Sequence, residues 1–213
     1  LISLMKEVQT AAEGVDTDSE AAAVSASSSD TDKFTVTGDG NALPGNYNLA
    51  IARLAKAQKD MGTLGTSLTD SVQEGTYTIQ VDGEDAVDFV VDGNNNTLAG
   101  LISAINSAES GVTASTIFDG TNYTLVLTAE ESGKEVTYTA RDGGNWKNLD
   151  GNFNGINTYT AHQTSQFMMD GIVIESESNE ITDAVTGLTI NLLETTEFDK
   201  DGNPTELVNL EVK

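Results

Sequence analysis

The pattern of apolar residues predicts a mainly β chain with a few short helices, an α+β arrangement of small antiparallel sheets. Three observations carry this. β-Branched residues gather in short runs of period two, the spacing of a half-buried strand. The 20 glycines sit mostly where those runs break. Leu98, Leu101, Ile102 and Ile105 instead show the i, i+3, i+4, i+7 stripe of an amphipathic helix.

Along the chain, Leu1, Ile2, Leu4, Met5 and Val8 suit one face of a helix end, and residues 1–32 read as a helix remnant followed by a linker. The small, polar run from Ala21 to Asp30 is the linker proper. Phe34–Thr37 alternates and stops at Gly38-Asp39-Gly40; after the turn Leu43-Pro44-Gly45, Tyr47, Leu49 and Ile51 repeat at period two. Arg53–Lys59 fits a strand or a helical turn equally well.

Residues 75–140 form a β-β-α-β-β-β series. Tyr77, Ile79 and Val81 run into Asp82-Gly83, a hairpin signal, and Val87–Val91 returns. The helix follows, capped by Asn96 or Thr97, with Gly111 just beyond its end. Strands are expected at Val112–Ile117 and Tyr123–Leu127 around the turn Asp119–Asn122, and Val136, Tyr138 and Ala140 complete the series. Residues 141–160, rich in glycine and asparagine, read as a loop anchored by Trp146 and Phe153. The last stretch holds the strand Gln166–Met169, a turn at Asp170-Gly171, the strand Ile172–Ile174 and a short helix at Ile181–Val185. Leu188–Leu193 and Leu207–Val212 are expected to pair across the turn Asp199–Asn203.

Charge narrows the function. With 34 acidic and 10 basic residues among 213, the chain carries −24. Such a surface repels phosphate backbones and anionic lipid, which excludes nucleic-acid partners and electrostatic attachment to a membrane. No apolar run approaches the roughly 20 residues of a membrane helix, so no membrane insertion is expected. Zero cysteines remove disulfides, thiol catalysis and cysteine-ligated zinc. The first residue is Leu1 and not a methionine, from which the chain is expected to be a segment of a longer one.

Three blocks carry a family resemblance. Leu101–Ser107, containing Ile105-Asn106, followed by Gly111–Ser115, resembles the short Ile-Asn motif of flagellar axial proteins. Phe167–Ile172 with Asp170-Gly171, then Ser178–Leu192 with Asn179 and Gly187, resembles a stretch of the flagellar hook-associated protein 2 family, which forms the filament cap. Pro44–Tyr47 with Leu54–Gln58 is similar to the early exposed region of that family. The resemblance spans about residues 33–213 in order. It implies residues 33–71 plus 155–213 as one discontinuous β-rich domain, 72–142 as the module inserted in it, and 143–154 as a loop.

It also implies a function: a structural and assembly protein, the exposed plate of the bacterial filament cap, promoting flagellin insertion at the tip. Implied partners are flagellin and further copies of the chain in a homo-oligomeric ring, and the implied place is extracellular, at the flagellum tip after export by the flagellar secretion system. Coiled-coil segments belong to the full-length chain. Alternatives are an adhesive module binding host mucin or other glycans, or another axial protein such as a flagellin or hook–filament junction protein. The family-motif residues are Ile105, Asn106, Gly111, Asp170, Gly171, Asn179 and Gly187, in a structural role.

No enzyme is expected. A serine–histidine–acid triad would have to use His162, the sole histidine, with a serine such as Ser165, and no Gly-x-Ser-x-Gly elbow is present. Asp199–Asn203 looks like the start of a calcium loop, but the EF-hand position for a distal glutamate holds Leu210. Glu84-Asp85 and Glu130-Glu131 lie beside turns, where solvated charge is the default. Catalytic residues, cofactors and metals are therefore all expected to be none.

Overall fold

The computed structural model describes residues 25–140 and 156–213, which are mostly strand. They divide into two compact units. The first contains residues 25–52, Phe167–Ile174 and Asn179–Lys213; the second runs over Arg53–Gln166 with Glu175–Ser178. The chain thus passes from one unit to the other after Ala52, Gln166, Ile174 and Ser178. The expected leg remnant at Leu1–Val8 and the anchors Trp146 and Phe153 lie outside the described residues.

Strands of the first unit are named in chain order: β1 (Ala26–Ser28), β2 (Phe34–Gly38) and β3 (Gly45–Arg53). In the second come β4 (Ala57–Gly65), β5 (Gly75–Val81) and β6 (Val87–Val91), then helix α1 (Leu98–Ser107). β7 (Val112–Phe118), β8 (Tyr123–Ser132), β9 (Val136–Ala140) and β10 (Asn157–Thr160) follow. The chain ends with β11 (Ser165–Met169), β12 (Ile172–Ser176), β13 (Glu180–Ile181), β14 (Leu188–Leu192) and β15 (Val208–Val212). The mainly β, antiparallel expectation holds, with α1 as the α-helix of the described residues.

In the first unit, β14 and β15 each alternate buried and half-buried residues, the signature of a strand with one face on a core. They do not pair with each other. β14 pairs with β2 over Leu188↔Gly38 to Leu192↔Phe34, and with β13 on its other side. β15 pairs with β3 over Val208↔Leu49 to Val212↔Gly45, and with β1. The Asp199 turn closes only a local bridge, Phe198↔Pro204. Thr196 then ties the connection to β3: Ile51 N–H donates to Thr196 Oγ1 at 2.9 Å, and Thr196 N–H to Ile51 O at 2.9 Å. Each strand thereby gains a full five-residue ladder from a distant segment in place of a partner across the turn.

Two further expectations are corrected in this unit. The low-complexity run around Ser27 contains β1, because β15 offers it an edge and Ser29 N–H continues the ladder to Asn209 O at 2.8 Å. The helix expected at Ile181–Val185 is absent. Five residues are too few to nucleate one alone, and Ile181, 1% exposed, is instead held opposite Ile190.

In the second unit β5 pairs with β6 and β9, and a four-stranded sheet runs β10-β4-β8-β7. Leu98, Leu101 and Ile105 of α1 pack into one core with Ile79, Val91, Leu125 and Leu127. Thr97 caps α1, accepting Gly100 N–H at 3.1 Å. Gly111 has φ +71°, the left-handed backbone that lets the chain turn from α1 into β7. The segment left open at Arg53–Lys59 enters strand β4, and β4 belongs to this unit because it is laddered to β8 from Ala57 to Gly65. The end of the expected loop, Asn157–Thr160, is β10, paired with β4.

Candidate functional site

The residues singled out by motif occupy positions of backbone control. Ile105 is fully buried on α1. Its neighbour Asn106 turns outward to β7: Ala114 N–H donates to Asn106 Oδ1 at 2.7 Å, and Asn106 Nδ2 donates to Ala114 O at 3.0 Å. This binds the last turn of the helix to the strand that follows Gly111.

In the first unit, Asp170 (φ +47°) and Gly171 (φ +85°) form the two left-handed positions of the β11–β12 hairpin. Asp170 is held there by Asn48, whose N–H donates to Asp170 Oδ1 and whose carbonyl accepts Asp170 N–H, each at 3.0 Å. Asn179 O accepts Leu192 N–H at 2.9 Å, which sets the register of β13 on β14. Gly187 (φ +76°) lies against the Asp39–Ala42 turn and accepts Asp39 N–H at 2.8 Å; a Cβ there would approach Ala42 Cα to 2.8 Å. Six of the seven motif residues thus sit at turns, at a helix-to-strand bond or at a strand register, and Ile105 fills the core. Ile105, Asn106 and Gly111 belong to the second unit, and Asp170, Gly171, Asn179 and Gly187 to the first.

In the candidate triad, Ser165 is committed to the backbone. Ser165 is fully buried, and its hydroxyl reaches the carbonyl oxygens of Ser178 at 2.7 Å and Ser176 at 3.1 Å. Asp199 is occupied with its own turn. Its carboxylate accepts Asn203 N–H at 2.8 Å and Asp201 N–H at 2.9 Å, and these bonds, that of Asn203 foremost, hold its pKa below the usual carboxylate value. Asp119 does the same at the β7–β8 turn, accepting from Asn122 and Thr121. Among the described residues no three acidic or histidine side chains are grouped to hold a metal ion.

Acidic residues do converge in the second unit. Glu84, Asp85, Glu109, Glu130 and Glu131 line an open cleft of about 400 Å³. Lys134 pairs with two of them, 2.7 Å from Glu131 and 2.9 Å from Glu84, and these partners raise its pKa above the ordinary lysine value. The arrangement repels anions and fits no anionic substrate.

A buried polar network was not anticipated. Asp60 (2% exposed) accepts from Gln58 Nε2 and from Tyr138 Oη, each at 2.8 Å. Gln58 also exchanges two bonds with Val136, Nε2 to O at 2.8 Å and Val136 N–H to Oε1 at 2.9 Å. Burial, then the Asp60 charge, pushes the Tyr138 phenol far up, so it stays a donor. The available signal was the i, i+2 spacing of Gln58 and Asp60, which puts both on one face of a strand.

Comparison with known proteins agrees with this geometry. Residues 1–58 match the family model for the flagellar hook-associated protein 2 N-terminus. Flagellar hook-associated protein 2 of Escherichia coli K12 is 31% identical over 171 residues, 73% of this chain and 36% of that protein. The D2-D3 domains of the flagellar cap protein FliD from Escherichia coli superpose with TM-score 0.73 at 29% identity, over 90% of this chain and 98% of that one. The chain is a relative of flagellar hook-associated protein 2. The D1-D2-D3 structure of the same Escherichia coli cap protein gives TM-score 0.76 at 28% identity, covering 99% of this chain and 60% of that one. The B-type flagellar hook-associated protein 2 of Pseudomonas aeruginosa is 27% identical over 93% of this chain and 46% of its own length. The chain therefore spans 36% to 46% of the length of these two curated relatives.

Proposed function

We propose that this chain is the exposed plate of a bacterial flagellar filament cap, a structural part that helps flagellin subunits insert at the filament tip. One observation carries the reading: both units together, in chain order, match the D2-D3 domains of a flagellar cap protein over nearly all of that structure. The two units correspond in this reading to those two domains, the second inserted in the first. The mechanism is positional. Copies of the full-length protein form a ring outside the cell, at the flagellum tip, leave a gap that admits one flagellin, and move on as it locks.

The negative surface sets a condition on that ring. At −24, neighbouring copies repel unless the contacting faces are poor in acids or salt screens them over about 8–10 Å. Contacts should therefore avoid the Glu130-Glu131 cleft and the Asp199–Asp201 turn, and assembly should strengthen with salt.

The experiment is deletion of the full-length gene in the source bacterium, followed by complementation with the intact gene and with one lacking this segment. The reading expects short or absent filaments and flagellin lost to the medium, restored by the intact gene alone. Unchanged filament length and flagellin retention on deletion would overturn it.

A further inference from the structure

Two strands of the second unit end their sheets among the described residues, and each has a side-chain amide laid on its outer side. β7 is the last strand of the order β10-β4-β8-β7, and β9 is the last of β6-β5-β9. In an antiparallel ladder, alternate residues direct both N–H and C=O to the same side. Ala114 directs its pair away from β8, and Asn106 receives both, Oδ1 at 2.7 Å and Nδ2 at 3.0 Å. Val136 directs its pair away from β5, and Gln58 receives both at 2.9 and 2.8 Å. An uncharged amide carries one acceptor and one donor in a plane, as a peptide group does. It therefore stands in for one residue of the next strand.

The two cases differ in what lies outside them. Gln58 is 5% exposed and belongs to the buried network with Asp60 and Tyr138. Asn106 is exposed on α1, and the edge it covers leads to a stretch of open strand. The register of β7 on β8 is uninterrupted, so Thr116 and Phe118 direct their peptide groups the same way as Ala114. Beside them Ile117 and Phe118 are 53% and 52% exposed. An unpaired edge with apolar side chains is a template for a further strand.

We infer that Asn106 is an edge guard: its amide occupies the peptide group of Ala114 on β7 and so keeps that edge from taking a strand of a second copy of this chain. It acts by position, with α1 as its support. The Ile105-Asn106 pair then has two separable duties, Ile105 filling the core and Asn106 closing the edge. The inference does not depend on the cap reading, since it rests on the geometry of one unit.

The first test uses the unsubstituted 213-residue chain. Amide hydrogen exchange should show Ala114 N–H at least about tenfold slower than Thr116 and Phe118 N–H, because only Ala114 has a partner on that side. Equal exchange at the three positions would overturn the inference. The second test compares Asn106→Ala with Asn106→Asp by sedimentation velocity over a concentration series. Both lose a bond to Ala114 O, but aspartate leaves a charge on the edge, a known obstacle to strand addition. Asn106→Ala should show a sedimentation coefficient that rises with concentration beyond that of the unsubstituted chain, and Asn106→Asp should not. A merely structural asparagine would leave the two variants alike in association, and that outcome, with both folded by circular dichroism, would sink the proposal. Should Asn106→Ala fail to fold, Asn106→Ser, likewise uncharged, takes its place in the comparison with Asn106→Asp, with the same two outcomes.

Discussion

The two units use the same strand chemistry but close their sheets over different lengths of chain. In the second, β5 meets β6 across Asp82-Gly83 and β7 meets β8 across Asp119–Asn122. Two of the five ladders among its described residues are thus local hairpins, and β4–β8, β5–β9 and β10–β4 join strands farther apart. In the first, β1 and β3 wait for β15, and β2 waits for β14, each more than 140 residues later. The difference is one of contact order. Local hairpins can form as soon as their residues exist, whereas the first unit must close long loops before its core rewards it. Turn chemistry differs as well: the second unit relies on Asp-Gly hairpins and a helix cap, while the first adds to its Asp170-Gly171 hairpin side chains such as Thr196 and Asn48 that fasten distant strands.

The largest effect should separate the units outright. Phe34→Ala removes a fully buried ring from the first unit and should cost about 3–5 kcal/mol. Urea unfolding followed by amide NMR signals of each unit should show the first unit's transition fall well ahead of the second's. A single shared shift would mean that the units unfold as one, and the comparison would break.

Two motif glycines of the first unit give a sharper contrast. Gly187→Ala meets both a left-handed φ and the backbone of Ala42, and should cost about 2 kcal/mol or more. Gly171→Ala has the same sign of φ but nothing within 4 Å of the new methyl, so about 1 kcal/mol should suffice. Equal losses in denaturant midpoint would show that close approach at Gly187 does not matter.

In the second unit, Tyr138→Phe removes a donor from Asp60 and should cost about 1–3 kcal/mol. The phenol pKa is raised by folding, so its contribution is full below the unfolded value of about 10 and is lost as pH rises beyond it. Urea midpoints of the phenylalanine variant and the unsubstituted chain should therefore differ at neutral pH and converge above pH ~10. The first unit should not respond to the substitution.

The smallest effect is one in which the units should agree. Asp119 and Asp199 each have a lowered pKa from turn N–H donors. What they add to their turns is present above the unfolded value of about 3.9 and disappears as pH falls through the lowered one. Carboxyl NMR titration should place both below about 3.9. An ordinary value at either would show that its turn is open in solution.

How far the fold could be read beforehand follows the same division. The β-β-α-β-β-β series, Thr97 as a candidate cap and Gly111 after the helix were legible because each depends on residues a few positions apart. The pairing of β14 with β2 was not, since the Asp199 turn offered a nearer partner and nothing in a turn signal tells a hairpin from a local bridge. β1 was hidden for a related reason: Ala26-Ser27-Ser28 has little strand propensity, and β15 supplies the edge that makes it a strand. At the site, Asn106 could be marked as a motif residue, but its bond to Ala114 depends on the turn at Gly111 that brings β7 back past the helix end.

By itself, then, the sequence determined the β class, the local turns, the helix and the strongly negative surface, all of which rest on short-range pattern or plain summation. Only the tertiary structure decided which strands share a sheet, where Gln58 and Asp60 find partners, and which open edges are covered. Those outcomes depend on groups brought together from across the chain, and period-two alternation marks a strand's buried face without naming its neighbour.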